Sequence, residues 1–156
     1  MTPRHVATLW SEWVRSAEAL LQVLACQERA LISRDTDQVQ DCLEQVESAR
    51  IALQAKDEEA RSAISALAEA VGSEPTLREV ARRLPPSDAR LLSSLAGTAE
   101  RLADALRASF IRNHALIQNE LAYVSGTLML IGQALREPST PYGKAVAGAL
   151  TLDRKV

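Results

Sequence analysis

From Val6 to Leu31 the side chains Val6, Trp10, Trp13, Ala17, Leu20, Leu24, Gln27 and Leu31 recur in steps of 4-3-4-3-4-3-4. An α-helix carries about 3.6 residues per turn, so this spacing stacks the side chains along one narrow seam. A strand cannot use the pattern, because its faces alternate every second residue. Leu9, Val14 and Leu21 widen the seam. A heptad repeat held this long requires another long helix to pack against. Composition supports the same conclusion: Ala, Leu, Glu, Arg and Gln dominate, and aromatic residues make up only 3%. Strong helix formers are abundant, and the residues that strands favour are scarce.

The helix boundaries are also written in the chain. Thr2-Pro3 supplies a hydroxyl N-cap followed by proline at the first helical position. The first pattern breaks at Ser33-Arg34-Asp35-Thr36, where Asp35 can cap a second helix with Gln38 three residues on. The second stripe reads Val39, Leu43, Val46, Arg50, Leu53, Asp57, Ala60, Ile64, Leu67 and Val71, and a drift onto Ala49 and Lys56 relieves the charges within it. Gly72 stands where a left-handed C-cap is wanted. The short turn predicts an antiparallel hairpin. Thr76 and Glu79 form a capping box for a short connector helix to about Leu84, and Pro85-Pro86 ends it. The last helix opens at Ser87-Asp88, with a stripe of Leu92, Leu95, Ala99, Leu102, Leu106, Phe110, Asn113, Ile117, Leu121, Val124, Leu128, Ile131 and Leu135. Two 4-4 steps in its middle would locally unwind a supercoil. The expected helices are about 3–33, 35–71 and 87–136. The expected architecture is an all-α, coiled-coil-like antiparallel bundle over residues 1–137: a helical hairpin, a short connector helix and a long third helix. Residues 138–156, with two prolines and two glycines, are expected to be a flexible tail.

Several kinds of chemistry have no residues to support them. His5 and His114 have no carboxylate three residues before them, so the di-iron bundle motif is absent. There is no Cys-x-x-Cys, phosphate loop or dinucleotide fingerprint. Asp35, Asp37 and Asp41 resemble the opening of a calcium loop, but Gln40 stands where glycine belongs and Val46 where the bidentate glutamate belongs. The expectation is therefore no enzyme, no cofactor and no metal. A net charge of −2 without a basic tract argues against nucleic acid. The Met1-Thr2-Pro3-Arg4-His5 start lacks the apolar core of a signal peptide, and Leu121–Ile131 is about half a membrane span. A cytoplasmic protein that does not insert in membranes is expected. Cys26 and Cys42 each lie about eight residues from the Arg34 turn and should face each other across the hairpin as buried, unbridged thiols.

The segment that says most about function is the late part of the last helix. Leu128, Met129, Leu130 and Ile131 are consecutive, and at about 100° per residue they cover most of the circumference. One partner seam hides only a narrow stripe. Some of Leu116, Met129 and Leu130 must therefore face a third helix, another subunit or a client protein. Gly126 and Gly132 each cost a helix interior about 1 kcal/mol relative to alanine and would permit close approach of a neighbouring backbone.

In the same region, Asn113-His114-Ala115-Leu116-Ile117, the apolar run Leu121 to Leu135, and Thr140-Pro141-Tyr142-Gly143 resemble the flagellar export chaperones of the FlgN family. Leu20-Leu21, Glu28 and Glu47-x-x-Arg50 resemble the family's two preceding helices. The resemblance implies a cytoplasmic chaperone that holds hook-associated proteins unpolymerised and delivers them to the flagellar type III export gate. It further implies client binding by the late helix and tail, the helix acting through Asn113, Leu116, Ile117, Leu121, Val124, Leu128, Met129, Leu130 and Ile131, and gate docking through Tyr142 and Gly143. A structural coiled-coil adaptor or oligomeric scaffold without a client remains the alternative.

Overall fold

The computed structural model describes residues 1–136; the tail expected at 138–156 lies outside the described residues. Among the described residues four helices follow in order: α1 (Pro3–Ser33), α2 (Thr36–Val71), α3 (Leu77–Ala81) and α4 (Pro86–Arg136). The described residues contain no strand, as the helical spacing predicts.

The ends of the helices follow from local chemistry. The Thr2 hydroxyl accepts from the His5 amide at 3.3 Å, and Pro3 occupies the first turn. The Asp35 carboxylate accepts from the Gln38 amide at 3.0 Å, and the Thr76 hydroxyl from the Glu79 amide at 3.2 Å. Gly72, at φ 66°, closes α2 in the left-handed conformation that glycine adopts without steric cost. Arg34 closes α1 the same way at φ 55°, and the Asp35 amide reaches back to the Ala30 carbonyl at 3.1 Å. The connector helix is shorter than expected, ending at Ala81. α4 starts one residue earlier, with Pro86 at its first position, where a missing N–H is harmless.

The chain divides into two compact units, residues 1–114 and a second beginning at Ala115. In the first, α1 and α2 run antiparallel. The Trp13 indole N–H donates to Asp57 at 3.1 Å, and Lys56 bridges Glu12 and Glu59 at 2.9 Å each. The first part of α4 runs parallel to α1: Val6 and Ala7 share a core with Leu92 and Ala96, and Trp13, Ala17, Leu20 and Leu24 share one with Ala99 and Leu106. Leu20, Leu24 and Leu92 are almost fully buried, and such side chains each contribute about 1.5–3 kcal/mol. Trp10 and Trp13 lie 5.7 Å apart, with Trp13 buried and Trp10 packed against both cores.

Two of the expected seams differ from the observed ones at individual positions. On α2 the inward side chains are Cys42, Val46, Ala49, Leu53, Lys56, Ala60, Ala63 and Leu67, an unbroken heptad. Leu43 and Arg50 face outward. The drift onto Ala49 and Lys56 expected from the sequence keeps the Arg50 charge in water, where it pairs with Glu47 at 2.7 Å. On α4, Ser109 is buried and Phe110 exposed. With Ser109 in place the first of the two 4-4 steps disappears and the repeat is a strict heptad from Leu92 to Asn113. Ala99 and Ser109 place small side chains on this seam among its leucines.

Candidate functional site

Each expected binding residue has a definite environment. Asn113 is 2% exposed and turned into the bundle, where its amide N–H2 donates to the Leu24 carbonyl and the Gln27 side-chain oxygen, both at 2.9 Å. It therefore fixes α4 against α1 and does not offer a surface contact. Beside it, Arg112 pairs with Glu28 at 3.3 Å. The Asn113 carbonyl oxygen, though buried, has no hydrogen-bond partner among the described residues.

Beyond His114 the character of α4 changes. Leu116 and Ile117 are half-buried, and every side chain from Leu121 to Leu130 is exposed. Leu128, Met129 and Leu130 are 63%, 66% and 67% exposed, and Leu121, Tyr123, Val124 and Ile131 are also open. Among the described residues nothing lies within 4 Å of where a Cβ would stand at Gly126 or Gly132, and none brings its backbone into the close approach they offer. Tyr123 and Ile111 join the exposed apolar set. Neither fits the 4-3 stripe, and only their position beside a long apolar run could have pointed to them. Tyr142 and Gly143 lie outside the described residues.

Ile117, Leu121, Val124, Leu128 and Ile131 form one stripe along this stretch by spacing. Met129 and Leu130 stand about 100° and 200° round from Leu128. The segment thus presents apolar side chains on nearly all sides. Contiguous apolar exposure of this kind marks an interaction surface. Among the described residues no helix is long and apolar enough to cross a membrane.

Among the described residues no cluster of three or more His, Cys, Asp or Glu could hold a metal. A groove of about 480 Å³ in the first unit is floored by Trp10, Ile64, Leu77 and Ala99, with Arg78 and Glu100 at its edge. Arg78 and Glu100 form a two-pronged ion pair, and the Arg78 hydrogen bond holds the Glu100 carboxyl below its ordinary range. The pair is solvent-exposed and ties α3 to α4, a role that accounts for it without catalysis.

No curated protein and no solved structure matches the chain. The family model described as FlgN protein matches residues 5–147, nearly the whole chain, including all four helices and the exposed stretch of α4. The chain belongs to the FlgN family.

Proposed function

We propose that this chain is a cytoplasmic chaperone of flagellar type III export that binds hook-associated proteins, keeps them from polymerising early and delivers them to the export gate. Family membership supports a flagellar export chaperone role in general, within a chaperone family and not an enzyme family. The observation that carries the finer reading is the unbroken exposure of Leu121 to Leu130 on a helix that holds Leu121, Val124, Leu128, Met129 and Leu130. Leu116, Ile117 and Ile131 extend the surface at its two ends.

A client segment that folds as a helix would lay its apolar face along the Ile117–Leu121–Val124–Leu128–Ile131 stripe, a helix-in-groove mode. Met129 and Leu130 point elsewhere, so the client must wrap the helix to cover them as well. Folding on binding costs ordering entropy, which eases release at the gate. In this reading Tyr142 and Gly143 serve docking at the gate, and Asn113 anchors the helix that carries the surface.

The test is a pull-down of hook-associated proteins with Met129→Glu and Leu130→Glu. Binding should be lost while helicity by circular dichroism is unchanged. Truncation after Pro138 should leave the client bound but stop export. If export proceeds at the normal rate, the gate role of the tail is wrong. If neither glutamate weakens binding, the surface is wrong.

The same exposure favours a second reading, an oligomeric scaffold in which another copy of the chain covers the apolar helix. Sedimentation decides between them: a scaffold is a concentration-dependent oligomer that Leu130→Glu dissociates, and a chaperone without its client is not.

A further inference from the structure

Cys26 on α1 and Cys42 on α2 lie across the hairpin with their sulfurs 3.4 Å apart, the Cys42 thiol donating to Cys26. Both are free. They differ in access: Cys42 is 1% exposed, whereas Cys26 is half-buried and open to a small solute. The spacing of 16 residues along the chain and the antiparallel pairing set by Glu12–Lys56 and Trp13–Asp57 hold the two at one level. An oxidant that reaches Cys26 thus finds a second sulfur already in contact.

We propose that Cys26 and Cys42 form a dithiol modification site, oxidised by hydrogen peroxide to an intramolecular disulfide that fastens the turn end of the hairpin. Cys26 acts first because it alone is reachable. Its sulfur attacks one peroxide oxygen, the O–O bond breaks, and water leaves with the thiol proton, giving a sulfenic acid. The Cys42 sulfur then attacks the Cys26 sulfur. An S–S bond forms, the S–O bond breaks, and the hydroxyl leaves as water with the Cys42 proton. Two thiols lose two electrons and two protons, and one peroxide becomes two waters. Burial, helped by the Cys26 sulfur, pushes the Cys42 thiol up to about 11, with Asp41 adding slightly and Arg29 opposing. The second step, which needs the Cys42 thiolate, therefore quickens as pH rises. The site depends on the hairpin alone and stands or falls separately from the client surface on α4.

The experiment treats the reduced full chain with hydrogen peroxide, followed by thiol alkylation and intact mass measurement. The wild-type chain should lose the mass of two hydrogens, remain monomeric, resist alkylation at both cysteines and recover both on reduction. Closure should accelerate between neutral and alkaline pH. In Cys42→Ala the sulfenic acid should be trapped by dimedone at Cys26 and otherwise proceed to sulfinic acid. In Cys26→Ser, a change at a half-open position, Cys42 should remain unoxidised. Sulfinic acid at Cys26 of the wild-type chain with Cys42 still a thiol, or a disulfide-linked dimer in place of the internal bond, overturns the proposal.

Discussion

Two stretches of α4 are both rich in apolar residues and have opposite fates. From Leu92 to Asn113 the inward positions are buried, many by small side chains: Ala96, Ala99, Ser109 and Asn113. From Leu121 to Ile131 the apolar side chains are larger and closer together, and all are exposed. Hydrophobicity alone does not make a core. A helix buries a stripe that a neighbour can reach, and small residues on the stripe let the neighbour come close. Consecutive large residues cover the circumference, and no single neighbouring helix can take them all.

The sharpest test of that contrast compares one residue from each stretch of the fold. Trp13→Ala should cost about 3–5 kcal/mol in urea unfolding, because it deletes a buried ring and leaves Asp57 without its indole partner. Leu130→Ala should stay within about 0.5 kcal/mol, as exposed positions do. A large loss at Leu130 would mean that the apolar stretch is covered in solution, and the comparison would collapse.

Asn113→Ala should have the next largest effect, about 1–3 kcal/mol, because it strands the buried Gln27 oxygen. Replacing Asn113 and Gln27 together by leucine removes both partners and should be far milder than the single change. If the pair is as damaging as Asn113→Ala, packing rather than hydrogen bonding holds α4 to α1 there.

The capping residues Thr2, Asp35, Gly72 and Thr76 were legible in the sequence because capping is a short-range matter of one side chain and an amide two or three residues away. The seams of α1 were legible because Trp and Leu give a strong signal. On α2 the drift onto Ala49 and Lys56 was legible from the charges it relieves, but Cys42 was missed because it is weakly hydrophobic beside Leu43. Only the packing reveals that the hairpin prefers small residues at close range. Phe110 misled for the same reason, with Ser109 taking the inward place. The left-handed turn at Arg34 had no glycine to announce it. The exposed surface on α4 was foreseeable from four consecutive apolar residues. Asn113, by contrast, was grouped with that surface by the family resemblance, and its burial depends on Leu24 and Gln27, distant in the chain.

Gly126→Ala and Gly132→Ala give a smaller and more local effect. Each should stabilise the helix by about 1 kcal/mol, since a Cβ meets nothing at either site. Hydrogen exchange should slow beyond Ala115 while the protection of residues 1–114 is unchanged. Client binding that weakens on these substitutions would show a partner backbone approaching at the glycines.

The smallest effect is that of pH. Glu12, Glu47 and Glu100 sit below the ordinary 4.5, held there by hydrogen bonds from Lys56, Arg50 and Arg78. Their contribution is complete above 4.5 and is lost as pH falls through the lowered values. Lys56 is raised above 10.5 by Glu12 and Glu59, so its share is lost only as pH climbs past that value. These groups are exposed and solvent screens them, so the thermal midpoint should slope gently at both extremes. Lys56→Met should flatten the acid limb slightly, and an unchanged limb would show that the Glu12–Lys56 tie contributes nothing measurable.

The parallel course of α1 and α4 has a consequence during synthesis. Partners such as Leu24 and Asn113, or Glu28 and Arg112, are 89 and 84 residues apart along the chain, with α2 and α3 between them. The α1–α2 hairpin can close as soon as it clears the ribosome, but half of its apolar seam then has nothing to cover it. At about 5–20 residues per second, Asn113 follows Val71, the end of the hairpin, by on the order of 2–8 s. During that interval the newborn hairpin presents Leu20 and Leu24 to solvent, so this protein, too, passes its first seconds with an unsheltered apolar face.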